Sequence, residues 1–233
     1  MITHKIIVAN NDMINYACKN FHYSKSVPGS RKVAYAIFEE NKFIGVIIYS
    51  LGANNNLAKS FNMVQGEVIE LTRIALCNHK NNVSRYISLT LKMLKKQCKT
   101  VKIVVSYADK ENQNHNGAIY QASNWIYLGL MKCSDKQFLY NGHWTHAKTF
   151  YDMEKRKGKE FVENLKSRLP QRKNSDKHKY IYVFDDNLKR EYSKISKKYP
   201  KKNAVVNSES ENQLINGGAS PTQPLHLKEV ANG

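Results

Sequence analysis

The side chains of this sequence that could do chemistry stand at the ends of its elements. His22 and Tyr23 sit together in the stretch HYSKSVPG. A loop imidazole titrates near neutrality and can take or give a proton or ligate a metal; a plain surface histidine is the alternative. Asp109 closes the buried run TVKIVVSYAD, where a carboxylate can act as a base, bind a metal, or merely shape the turn. Arg73 lies inside EVIELTRIAL, a β-branched apolar run. A charge buried there is costly unless paired, so its expected partner is Asp109, Glu70 or a substrate phosphate. Ser84, near the start of a helical segment, is either a cap or a hydrogen-bonding group for a donor molecule. Tyr120 either packs in the core or offers its phenol to a cleft. His143 and His146 form an HxxH, but a strand would turn them to opposite faces, so no shared metal is expected. His146 is the better substrate contact.

These residues need elements to hold them. HKIIVAN reads as a strand, and NDMINYACKNF as a short helix with Asn or Asp at its cap. VAYAIFEE and KFIGVIIYSL, separated by Glu40-Asn41-Lys42, read as a hairpin. The Asn-rich GANNNLAKSFNMVQ is expected to be a surface insertion. EVIELTRIAL is a strand, and VSRYISLTLKMLKKQCK a helix with Val83, Leu91 and Leu94 on its apolar face. TVKIVVSYAD is a strand, and GAIYQASNWIYLGL a short helix ending near Asn124 and running into a further strand. KQFLYNG is expected to continue the sheet, YDMEKRKGKEFVENLKSRL to form one basic amphipathic helix, and KYIYVF to be a last strand. The order implies an α/β fold with a mixed central sheet flanked by helices.

The chain has 233 residues, 41% of them hydrophobic, ample for one core. Its 37 Lys and Arg outnumber 19 Asp and Glu, a formal charge of +18. That balance favours a polyanion, nucleic acid above all, with a basic tail on a neutral enzyme as the alternative. The expected phosphate contacts are Lys155, Arg156, Lys159 and Lys166, together with the strand near His178. Four well-separated cysteines read as reduced thiols, not as a zinc site. No run is long and apolar enough for a membrane span, and no targeting sequence is recognisable. From about Asp186 onward, apolar residues become sparse. A disordered basic and polar tail is expected over 186–233, after a catalytic domain over 1–185.

Three of these blocks in order, VIELTRIAL, VKIVVSYAD and AIYQASNWIYLG, resemble the N-acetyltransferase pattern, which implies a GNAT-like sheet. The finer wording is narrower. FHYSKSVP, ELTRIAL, NNVSRYIS, VVSYAD and HNGAIYQASNWIYLG, followed by GHWTHAKTFYD and KHKYIYVFD, resemble the Mom family of phage DNA-modification proteins over about residues 20–185. The resemblance implies a transferase that converts adenine N6 in double-stranded DNA to a carbamoylmethyl form and so protects phage DNA from host restriction. It also implies a phage or prophage protein working in the bacterial cytoplasm. His22, Tyr23, Arg73, Ser84, Asp109 and Tyr120 are then its catalytic candidates, with Tyr120 where the fold often places a general acid. Tyr23 or Trp125 would stack an extruded base.

The stretch NHKNNVSRY lacks the glycines that let backbone amides approach the pyrophosphate of acetyl-CoA, so that cofactor is not expected. A carbamoylmethyl product is joined to N6 through a methylene carbon, which simple acyl transfer cannot make. The small-molecule donor is left unidentified, and a non-haem iron held by groups such as His22 and Asp109 is a hypothesis. The rival readings are an acyl-CoA N-acyltransferase acting on a protein or small amine, and a non-enzymatic DNA-binding protein on the same scaffold.

Overall fold

The computed structural model describes residues 3–52, 56–109, 116–147 and 149–201. Seven strands form the main sheet in the order β1-β2-β3-β4-β5-β10-β6. They are β1 (His4–Val8), β2 (Lys32–Glu39), β3 (Lys42–Ser50), β4 (Val68–Leu76), β5 (Ile103–Asp109), β6 (Ile126–Met131) and β10 (Lys177–Val183). The β2–β3 hairpin turns at Glu40 and Asn41, both in the left-handed region. All neighbours are antiparallel except β4 and β5. The expected mixed sheet is therefore present.

Helices cover both faces, which is why β2 and β3 are apolar almost throughout. Helix α1 (Asn11–Phe21) starts at Asn10, whose side chain accepts from the Met13 amide at 2.9 Å. Its Ile14, Ala17 and Cys18 recur at helical spacing and pack on Ala34, Ala36, Val46, Ile48 and Ala75. Helix α2 (Val83–Gln97) buries Tyr86, Ile87, Leu91 and Leu94 against Tyr35, Ile37 and Tyr49, on the other face. Strand alternation sorts the two sets: even residues of β2 face α1, odd ones α2.

One carboxylate ties the hairpin to the loop before α2. Glu39 is buried and accepts hydrogen bonds from the Lys80 and Asn81 amides, the Asn81 side chain and the Tyr86 hydroxyl. Burial alone would raise its pKa, but these bonds bring it down to about 2. The cap of α2 is Asn82, so Ser84 is not the capping residue.

Several expectations are corrected. KQFLYNG does not extend the main sheet: β7 (Lys136–Tyr140) forms a separate three-stranded sheet with β8 (His143–His146) and β9 (Gln171–Lys173), in the order β8-β7-β9. The edge of β6 is covered instead by residues 197–199, through Lys197 N–H to Tyr127 O at 2.8 Å and Tyr199 Oη to Trp125 O at 2.6 Å. The single basic helix is two, α4 (Thr149–Lys157) and α5 (Lys159–Arg168), broken at Gly158, whose φ of 87° no helical residue adopts.

In the Asn-rich insertion, Leu57, Ala58 and Phe61 are core residues packed with Ile181 and Val183; positions 53–55 lie outside the described residues. Finally, order continues past 185. Helix α6 (Asp186–Lys194), capped by Asp185 onto the Leu188 amide, packs Leu188 and Tyr192 on that same cluster. The tail expectation therefore fails for residues 186–200, and positions 202–233 lie outside the described residues. Among the described residues, no helix is long and apolar enough to cross a membrane.

Candidate active site

Strands β4 and β5 pair in parallel only from Val68–Ile103 to Glu70–Val105, and beyond Glu70 they part. The gap is a cleft of about 550 Å³ lined by residues of both strands, the end of α1, the start of α2, helix α3 (Ala118–Gln121) and Lys177. That volume lies in the range of small-molecule pockets. His22, Tyr23, Arg73, Asp109 and Tyr120 all line it. Val83 lines it too, but Ser84 does not; the Ser84 backbone carbonyl accepts from Ser88 Oγ within the helix.

A bulge decides which charges meet. The register of β3 with β4 shifts between Ile48–Arg73 and Tyr49–Leu71, leaving Thr72 as the extra residue, with its hydroxyl on Ile48 O at 3.2 Å. Without the bulge, Glu70 and Arg73 would point to opposite faces. With it, both fall on the α1 side, where Asp109 and Lys177 also stand as register partners on β5 and β10. Tyr120 and Ser106 approach from the α2 side, their oxygens 2.8 Å apart. The fork thus joins a charged wall to a hydroxyl wall.

Each group has a distinct state. Ser24 N–H donates to His22 Nδ1 at 3.1 Å, and Ser24 Oγ lies 2.8 Å from the same atom. The imidazole proton therefore sits on Nε2, which has no hydrogen-bond partner among the described residues. Burial, then the positive charges of Arg73 and Lys25, push the His22 pKa down to about 4. Burial pushes the Tyr120 phenol up to about 12, with Glu70 adding to it and the Ser106 bond opposing. Tyr120 is thus a proton donor rather than a base at neutral pH.

Glu70 is raised by burial against the pull of Lys177 and Arg73, and its carboxylate has no hydrogen-bond partner among the described residues. Asp109 is engaged by the Ser175 hydroxyl. Arg73 meets neither carboxylate in an ion pair: its Nη1 donates to Thr72 O at 2.8 Å, and its Nε is buried without a partner. Its charge still acts on Glu70, whose pKa it lowers.

Tyr23 is 70% exposed, its ring 4.3 Å from that of His22, and forms an aromatic lip. Trp125 is fully buried between Tyr120 and Tyr182 and cannot stack a base. His178 is likewise buried, bonded to Tyr127 Oη at 2.6 Å, so it holds no phosphate. Among the described residues, no group of three or more His, Cys, Asp or Glu could hold a metal ion. His22 and Asp109 share the cleft without completing a two-histidine, one-carboxylate set.

The small sheet meets the cleft at Asp109. His146, exposed on β8, has its Nδ1 3.4 Å from Asn174 Nδ2 and its Nε2 3.4 Å from Gln137 Nε2. Partial burial and Lys177 push its pKa down, while Asp135 and Asp109 pull it up. Lys155, Arg156 and Lys159 lie on the outer helices; Lys166 instead places its ammonium 5.3 Å from the Phe150 ring.

Tyr107 and Lys177 are cleft residues that sequence reasoning missed, and Glu70 is named there only as a partner for Arg73. The argument that singled out Arg73, a charge inside an apolar strand, applies equally to Glu70 three positions earlier.

A mixed α/β sheet split at a parallel pair thus gathers carboxyl, imidazole, phenol and guanidinium groups in one cleft. The chain belongs to the Mom protein family, whose model matches residues 5–201. It is 27% identical over 132 residues to the methylcarbamoylase mom of Escherichia phage Mu, covering 55% of this chain and 54% of that protein. The chain thus spans about half the length of that curated relative. Solved structures similar to it include a probable acetyltransferase from Staphylococcus epidermidis, at 12% identity and a TM-score of 0.47, covering 78% of this chain and all of that one. A spermidine N-acetyltransferase from Vibrio cholerae has 8% identity and a TM-score of 0.46, covering 81% of this chain and 98% of that one.

Proposed function

We propose that this protein is a phage DNA-modifying transferase that acts on adenine N6 in duplex DNA, gives a carbamoylmethyl product and thereby protects the DNA from restriction. The observation that carries the reading is the convergence of His22, Glu70, Arg73, Asp109 and Tyr120 in one cleft. Family membership, the printed activity of the phage Mu relative and the charge of +18 support it.

Adenine N6 is stacked and weakly nucleophilic in a duplex, so the base is extruded at a cost of a few kcal/mol and met by the ring of Tyr23 at the lip. As a bond forms from N6 to the methylene carbon of the donor, N6 loses a proton. Asp109 orients the amine, and the unpartnered carboxylate of Glu70 is the freer acceptor for that proton. As the methylene carbon's bond to the departing group breaks, Tyr120, protonated at neutral pH, gives that group a proton, and the neutral imidazole of His22 offers it a hydrogen bond from Nε2–H. Arg73, short of a partner, steadies the donor's negative charge. Lys155, Arg156 and Lys159 add long-range attraction for DNA. The cytoplasm of the host, where its DNA lies, is the place for this reaction.

Mass spectrometry of nucleosides from cells expressing the protein tests the reading. A new adenosine species that disappears with Asp109→Asn is the expected result. Unmodified DNA from cells of the phage's natural host, at high levels of folded protein, overturns it.

A further inference from the structure

We propose that Arg172, stacked on Trp144, grips a DNA backbone phosphate beside the cleft. This rests on the reading of duplex DNA as substrate, and it assigns the gripping surface to the small sheet's open face and not to the basic helices.

The two faces of that sheet differ. Phe138 on β7 packs with Phe150 and Val162 of α4 and α5, which closes one face. Alternation turns Gln137 and Leu139 to the other, and the register places His146 and Arg172 beside Gln137 and Trp144 beside Leu139. The basic helices therefore lie behind the sheet, while Trp144, His146 and Arg172 share its open side. Trp144 is 38% exposed there.

Arg172 is held in two ways. Its guanidinium carbon stands 4.5 Å from the centre of the Trp144 ring, and its Nε donates to Gln137 Oε1 at 2.8 Å. Gln137 itself is buried. Both terminal nitrogens remain without partners among the described residues, and Arg172 makes no ion pair there. A guanidinium fixed at Nε and by stacking presents its two remaining nitrogens as a fork, the geometry that matches two phosphate oxygens. Most of the ordering that such a contact demands is already done.

The position is right for a strand entering the cleft. Arg172 is five residues before Lys177, which lines the cleft beside Asp109. Five residues span at most roughly 17 Å, about five base pairs of duplex axis. Between them, Asn174 approaches His146 and Ser175 bonds Asp109. A phosphate on Arg172 would thus flank the extruded nucleotide and set its register.

The test is binding of a duplex oligonucleotide by the full chain across a salt series, alongside nucleoside analysis at saturating DNA. Arg172→Ala is expected to weaken binding roughly ten-fold or more and to lower the salt slope by about 1. Arg172→Lys should keep the slope and still lose affinity, because the fork is gone. Trp144→Ala should lose affinity with the slope kept, and Trp144→Phe should recover most of it. At saturating DNA, modification should fall less than affinity does in each of the four. Wild-type affinity and slope in Arg172→Ala would overturn the proposal while leaving the DNA reading intact; a wild-type protein that binds no duplex would overturn both. Should Arg172→Ala fail to fold, the Trp144 pair decides: Trp144→Phe binding as poorly as Trp144→Ala sinks the proposal.

Discussion

The fork of the main sheet and the open face of the small sheet adjoin at Asp109, yet they treat charge in opposite ways. In the fork, burial shifts the groups: His22 is held near pKa 4, Tyr120 near 12, and Glu70 above its ordinary value. On the small sheet, Arg172 and Trp144 stay at the surface, fixed by stacking and one hydrogen bond. Desolvation makes proton transfer selective, but it would be wasted on a group whose task is to hold a phosphate. Chemistry and grip are thus separated by environment, within one connected body. The comparison predicts that damage in the fork costs turnover and damage on the small sheet costs affinity.

The largest expected effect is that of Tyr120→Phe. It removes one hydroxyl bonded to Ser106 and leaves the ring packed on Trp125 and Tyr180. Loss of a general acid lowers turnover by roughly 10²- to 10⁴-fold, while duplex affinity should stay close to that of the wild type. A proportionate fall in affinity would erase the distinction between the two regions.

Next comes Phe150→Ala, which empties the centre of the small lobe where Phe138, Tyr140 and Val162 meet. Truncation of a fully buried phenylalanine costs about 3–5 kcal/mol. The small sheet should loosen first, so hydrogen exchange should accelerate in β7, β8 and β9 ahead of β2 and β3. Uniform acceleration through both sheets would show that they unfold as a unit.

A third test uses acid. The His22 pKa falls from 6.5 to about 4 on folding, so between these values the unfolded chain binds more protons. Stability therefore declines as pH drops through 6.5, and that penalty is complete below about 4. Glu39, lowered from 4.5 to about 2, adds a second loss as pH falls through 4.5. Chemical denaturation at a series of pH values should show both steps, and the first should vanish in His22→Gln. An imidazole titrating near 6.5 in the folded protein would mean that the fork is open to water.

Much of this was legible in the residues. The hairpin around Glu40-Asn41, the capped α1 and the buried face of α2 follow local periodicity, and local periodicity survives folding. Five of the six catalytic candidates line one cleft because strand ends and the loops after them converge at a split parallel pair. What was illegible is non-local. Nothing in KQFLYNG says which strands it pairs with, and β9 has only three residues. The bulge at Thr72, which puts Glu70 beside Arg73, leaves no mark on sequence alternation. Trp125 looks like a stacking face until Tyr182, 57 residues away, closes over it. Helix α6 has no fully buried residue, so its sparse apolar stripe reads as tail.

The smallest effect separates lysines that composition treats alike. Lys166 and Lys155 both belong to the basic helices expected to hold phosphate. The Lys166 ammonium lies 5.3 Å from the Phe150 ring and 5.9 Å from that of Phe138, at the seam between helix and small sheet. Lys155 lies in the last turn of α4, beside Arg156 and Lys157. Lys166→Met keeps the aliphatic stem and removes the cation–π attraction, worth about 0.5–1 kcal/mol at such a site. Its thermal midpoint should fall slightly and its salt slope should match the wild type, because its ammonium is held on the Phe150 and Phe138 rings. Lys155→Gln should do the reverse, leaving stability unchanged within about 0.5 kcal/mol and trimming the slope by less than the loss of Arg172 does. Equal slopes for Lys155→Gln and Arg172→Ala would place the grip on the helices, and the division between the two regions would have to be redrawn there.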